Sequence, residues 1–85
     1  MTATFRIHFR KIKPLIWGVE YCFVNAIIPT YFSVSPESHN CPFVRRELEK
    51  LGLPVLEYAL SLILVFEHET DESAFIMKFS EGLLI

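Results

Sequence analysis

Apolar and polar residues alternate strictly from Thr4 to Arg10, with Phe5, Ile7 and Phe9 on one side and Arg6, His8 and Arg10 on the other. This period of two predicts a strand with one buried face. Lys11, Lys13 and Pro14 interrupt it, because proline cannot donate to a β-ladder and disfavours helix at the residue before it. From Leu15 to Asn25 the larger residues Leu15, Trp17, Val19, Tyr21 and Phe23 alternate with Gly18, Glu20 and Cys22. Aromatic and β-branched content favours a second strand there; a helix opening at Pro14, with Gly18, Tyr21 and Asn25 as a polar stripe, is the alternative. Asn25-Ala26 is then a turn, and Ile27 to Val34 a further strand that Pro29 confines to a sheet edge or a bulge.

Ser35-Pro36-Glu37-Ser38-His39-Asn40 concentrates turn formers and reads as a loop. The next residues carry the signals of a helix over 42–51: Asn40 or Cys41 at the N-cap, Pro42 in the first turn, Val44, Leu48 and Leu51 along one face, and Gly52 with Pro54 as the stop. Val55 to Glu69 and Ala74 to Ser80 suggest a hairpin around Thr70 to Ser73. Setting Glu69 opposite Ala74 aligns His68 with Phe75, Phe66 with Met77 and Leu64 with Phe79, which makes one face almost wholly apolar. These elements amount to an α+β fold: an antiparallel sheet from N-terminal strands, one central helix near 42–51 and a C-terminal hairpin near 55–80. With 85 residues in all, a single small domain over 1–85 is expected.

Composition adds one point to this pattern. The chain is 52% apolar with eight phenylalanines, more than one thin core needs, so some apolar surface is expected to meet something else. The runs Leu15 to Val34 and Leu51 to Phe66 raise a small membrane protein as an alternative. Glu20, Asn25 and Pro29 interrupt the first run, and the second is short of the ~20 residues a spanning helix needs, so a membrane is the weaker expectation. The N-terminus has no secretory pattern and two cysteines are too few for a disulfide scaffold, which points to a cytoplasmic protein.

The charges segregate. Arg6, Arg10, Lys11 and Lys13 occupy residues 1–13 without an acid, while Glu67, Glu69, Asp71 and Glu72 gather at the expected hairpin tip. Either set is a candidate partner surface, steering encounter with another protein or a sister subunit. The basic set, with His8, also suggests nucleic acid, but a net charge of −2 argues against it. Alternation also turns Phe5 and Phe9 away from the arginines, so they cannot stack bases between those charges.

Candidate chemistry is sparse. Cys41 at a helix start, with Arg45 and Arg46 one turn on and His39 nearby, is the best thiol candidate, although no third group orients it. Cys22, His39 and Cys41 with His8 or His68 lack the paired spacing of zinc ligands. In a strand, Glu67-His68-Glu69 sends its histidine to the face opposite the glutamates, so the three cannot act together. Glu20 and Glu57, inside apolar runs, must face solvent or find partners. No glycine-rich phosphate loop occurs, so no cofactor is expected. The expectation is a non-enzymatic protein-binding module, an inhibitor or adaptor of the kind small viral and phage proteins provide, acting by steric occlusion or sheet-edge pairing. The edge would be the C-terminal or the Pro29 strand, and the apolar tail Leu83, Leu84 and Ile85 a second contact, in a homodimer or with another protein.

Overall fold

The computed structural model describes residues 5–24, 27–80 and 83–84. In chain order the elements are β1 (Phe5–Lys13), β2 (Ile16–Phe23), β3 (Tyr31–Ser33), α1 (Cys41–Lys50), β4 (Val55–Tyr58), β5 (Ser61–Val65), α2 (Glu69–Lys78) and β6 (Leu83–Leu84). The fold is α+β, with one sheet in the order β4-β5-β2-β1-β6 and β3 added beside β2.

Strand β2 organises the sheet, and the alternation that favoured strand over helix there corresponds to its two faces. Along one side it pairs with β1, from Phe5 opposite Phe23 to Lys11 opposite Trp17. Along the other side its first half pairs with β5, setting Trp17 opposite Leu64, and its second half pairs with β3, setting Tyr21 opposite Phe32. Val34 joins these two partners, its amide donating to the Val19 carbonyl and its carbonyl accepting from the Leu62 amide. The lysines do not end β1 at Arg10 as expected. A bulge between Lys11 and Lys13 carries the strand on to the turn. That turn combines Pro14 with Leu15 at φ +71°, the proline-then-positive-φ pairing of a type II turn.

Both helices lie on the face that carries Phe9, Trp17, Val19, Leu62, Leu64 and Phe66, where Val44 and Leu48 of α1 and Phe75 of α2 complete the core. Helix α1 begins one residue earlier than the pattern gave, with Asn40 at the N-cap and Pro42 in the first turn. Leu51 is not on its buried face but at the C-cap, exposed. Gly52 at φ +71° ends the helix in a Schellman arrangement, the Leu53 amide donating to Leu48 and the Gly52 amide to Glu49.

The C-terminal half corrects the sequence expectation. The hairpin there is short, β4 turning into β5 through Ala59 and Leu60, with Tyr58 opposite Ser61. Residues 74–78, assigned to a returning strand, belong to α2. Glu72, Phe75, Ile76 and Phe79 stand at positions i, i+3, i+4 and i+7, and as a helix they all turn toward the sheet or its margin. The sheet is also not wholly antiparallel: β6 runs parallel to β1, Leu83 opposite Phe9 and Leu84 opposite Arg10. Of the strand expected over 27–34 only Tyr31–Ser33 forms, and Pro29 lies outside it. The Asn25-Ala26 turn falls outside the described residues.

Candidate functional site

The acidic residues do not form one exposed tip. Glu69 and Asp71 are exposed in the first turn of α2, where negative charge complements the helix dipole, and Glu67 is exposed just before it. Glu72 is buried. Its Oε2 accepts from the Trp17 indole Nε1–H at 2.9 Å and from the Leu15 amide at 2.7 Å. The indole bond above all, opposed by burial and helped by the Leu15 amide and the charge of Lys11, holds the Glu72 carboxyl below its ordinary value. The Leu15 carbonyl in turn accepts from the Phe66 amide at 2.8 Å. A residue with positive φ is thus held on both sides, and the carboxylate pins α2 to the β1–β2 turn. This clamp is structural, and Glu72 leaves the set of partner-facing residues.

The basic stripe is likewise divided. Arg10 pairs with Glu20 at 2.9 Å on the face without helices, which supplies Glu20 with its partner. Lys11, opposite Trp17, lies on the helix side with its Nζ 5.9 Å from the indole centroid. Arg6 and Lys13 are exposed, and among the described residues neither has an ion-pair partner. Among the described residues the four cations therefore do not share one face.

Other candidates disperse. Cys41 is buried among the core residues at the start of α1 while His39 is exposed, so a dissolved substrate does not reach that sulfur. Cys22 pairs across β1 with Arg6, on the face opposite Trp17, so the two free cysteines lie on opposite sides of the sheet. Among the described residues no group of three or more His, Cys, Asp or Glu is placed to hold a metal. Glu67, His68 and Glu69 are not a strand; His68 is the extended N-cap of α2. Between the 51–54 segment and α2 lies a groove of about 430 Å³, lined by Phe66, Phe75 and Phe79 together with Asp71 and Lys78. No helix among the described residues is long and apolar enough to cross a membrane: the first apolar run is divided between β2 and β3, the second between β4 and β5.

What the pattern missed is the edge at β4. On its inner side this strand pairs with β5, and among the described residues nothing pairs with its outer side. The Val65 amide donates to the Pro54 carbonyl at 3.1 Å, which fixes the alternation. Leu56 and Tyr58 spend their backbone groups on β5, whereas Glu57 and the Val55 carbonyl are turned outward, the Val55 amide donating to the Leu53 carbonyl at 3.0 Å. Leu56 is 50% exposed, Tyr58 68% and Leu60, in the turn, 72%. Glu57 meets the guanidinium of Arg45 from α1. An apolar edge without lysine, proline or cover is the kind that folded proteins use for pairing. The missed signal was Ala59-Leu60, a turn without glycine or asparagine, so that β4 and β5 read as one long strand. Leu83 and Leu84, by contrast, extend the opposite edge by pairing with β1, and Ile85 lies outside the described residues.

Comparison of the chain with models of protein families, with curated proteins and with solved structures finds no match.

Proposed function

We propose that this chain is a protein-binding module that works by strand addition at the β4 edge, and that its first partner is a second copy of itself. The observation that carries this is the unpaired outer side of β4, flanked by the exposed Leu56, Tyr58 and Leu60. Charge selects the register. In a symmetric antiparallel pair facing residues share a face, so the dyad falls on Leu56 or on Glu57. A dyad at Glu57 would set two carboxylates opposite each other, which is unfavourable. A dyad at Leu56 brings the two leucines together on the helix-free face. It also lets each Glu57 amide donate to the partner's Val55 carbonyl, while Arg45 keeps each Glu57 carboxylate compensated.

A module of this kind acts by occupying surface. It serves as an adaptor where the partner stays active and as an inhibitor by steric occlusion where the paired edge is one the partner needs. Two free cysteines, buried and separated by the sheet, suit a reducing compartment such as the cytoplasm. Native mass spectrometry over a dilution series tests the reading. Wild-type protein is expected as a dimer that dissociates on dilution. Glu57→Pro, which removes the outward donor at a position an edge strand tolerates, and Leu56→Lys are expected to leave monomer with an unchanged circular dichroism spectrum. A monomer at every concentration, or a dimer indifferent to both substitutions, contradicts it.

A further inference from the structure

One side of α2 carries a charge pattern that the Glu72 clamp does not use. Glu72, Phe75, Ile76 and Phe79 turn to the sheet or its margin. Asp71, Ala74 and Lys78, at positions i, i+3 and i+7, share a neighbouring side and line the groove that α2 forms with the 51–54 segment. All three are exposed. Among the described residues neither Asp71 nor Lys78 has an ion-pair partner, and the Lys78 Nζ lies 5.5 Å from the Phe79 ring centroid. The surface around this stripe is apolar. Leu53, Pro54 and Phe79 line the same groove, Leu51 on its opposite wall is 42% exposed, and Met77, one turn beyond Ala74, is 81% exposed.

The stripe is its own complement. Asp71 and Lys78 stand two turns apart, roughly 10 Å along the axis, with Ala74 near the midpoint. A second α2 laid antiparallel about a dyad at Ala74 sets each Asp71 against the partner's Lys78, whereas a parallel pair opposes like charges. Alanine at the crossing lets the two axes approach to the ~8 Å of close helix packing. An unrelated helix would need the same charges at the same spacing in reverse order, and a second copy supplies them by symmetry. We propose that α2 is a self-association surface, on which two copies pack α2 against α2 antiparallel while the partner helix closes the groove. This surface is separate from the β4 edge and does not rest on strand pairing there. A contact of one helical stripe per copy is smaller than the ~1,200 Å² of standard interfaces, so it forms only at high concentration, with a Kd on the order of 0.1–1 mM. Where both contacts form, each copy carries two different two-fold contacts, and dimers join into larger assemblies.

Sedimentation equilibrium of the full chain carrying Leu56→Lys tests this apart from the β4 edge, because that substitution removes strand pairing there and leaves α2 untouched. The Leu56→Lys protein is expected to be monomeric when dilute and to dimerise reversibly as its concentration approaches about 1 mM, less so as salt is added. In this background Asp71→Lys and Lys78→Asp each bring like charges together, and each alone is expected to weaken association about tenfold or more. An equimolar mixture of the two is expected to associate as tightly as their parent, since each copy then supplies the charges that the other lacks. Ala74→Arg keeps both charges and a good helix former, and is expected to leave monomer with an unchanged circular dichroism spectrum. Any of four results overturns the proposal: folded Leu56→Lys protein that stays monomeric throughout; single-charge variants that dimerise like the parent; a mixture no tighter than its components; or a dimer that survives Ala74→Arg. A monomer that binds anilinonaphthalene sulfonate, and loses it on Lys78→Asp, would also overturn it and give the groove to a small amphipathic anion.

Discussion

The two halves of β2 carry the same kind of alternation and meet opposite surroundings. In the first half Trp17 is fully buried, bonded through its indole to Glu72 and packed edge-on against Phe75 at 5.3 Å beneath the helices. In the second half Tyr21 and Phe23 continue the same face, Tyr21 half-buried at the margin of the core and both in ring contact with Phe32 and with each other. The apolar excess of the chain is thus unevenly distributed over the domain. Its largest groups are at the β2–β3 end and along β4, with Ile12, Phe43, Leu51 and Met77 exposed singly elsewhere. Alternation specifies which side chains share a face, and the helices determine which part of that face is core.

The contrast can be broken most strongly at its covered half. Trp17→Ala is expected to cost about 3–5 kcal/mol of unfolding free energy, since it opens a large cavity and leaves a buried carboxylate short of a donor. Glu72→Ala, which strands the Trp17 indole and the Leu15 amide without an acceptor, is expected to cost roughly 2–4 kcal/mol, and Glu72→Gln about half of that. Urea unfolding measures both. Acid sharpens the second. Because hydrogen bonds hold the Glu72 carboxyl below its ordinary value, the folded state takes up that proton later than the unfolded chain does. The stabilisation is complete above the ordinary glutamate range and is lost as pH falls through the lower folded-state value. The advantage of wild type over Glu72→Gln is therefore expected to shrink in acid, and a constant difference from neutral to acidic pH would contradict the clamp.

The uncovered half is expected to respond weakly. Phe32→Ala removes one exposed stacking partner and is expected to cost about 1 kcal/mol. A loss as large as that of Trp17→Ala would mean that something unaccounted for covers the β3 end. The smallest effect is a gain: Ala59, exposed in the β4–β5 turn at φ +55°, is strained for any residue with a Cβ, and Ala59→Gly is expected to raise stability by roughly 0.5–1 kcal/mol in the same urea titration.

Much of this architecture was legible where local chemistry agreed with tertiary role. The alternation of Trp17, Val19 and Tyr21 gave β2, and Pro42 with Gly52 framed α1 within a residue. Helix α2 was hidden because the first of its four inward positions is Glu72. A charged residue there conceals an i, i+3, i+4, i+7 face, and only the Trp17 indole, far away in sequence, makes it a core position. Turns at Leu15 and Ala59 escaped for a related reason: both adopt positive φ without being glycine, so the usual mark of such a turn is missing. Parallel pairing of β6 with β1 is a long-range arrangement with no local signature. The charged candidate sets are divided by the fold. Arg6, Arg10, Lys11, Lys13, Glu67, Glu69 and Asp71 all lie at the surface, Arg10 paired with Glu20 and Lys11 on the helix side, while Glu72 is buried in the clamp. The β4 edge could not be read in advance, because Leu56 and Tyr58 look like core residues until the sheet order leaves their strand outermost.

Backbone amide hydrogen exchange, followed residue by residue at a high and a low protein concentration, tests the central claim most directly. The Trp17 amide in the covered half is expected to exchange slowly at both, while the outward Glu57 amide is expected to be protected at high concentration and to exchange freely after dilution. Free exchange at Glu57 at both concentrations, with Trp17 still protected, would contradict the proposal that copies of the chain pair through the β4 edge.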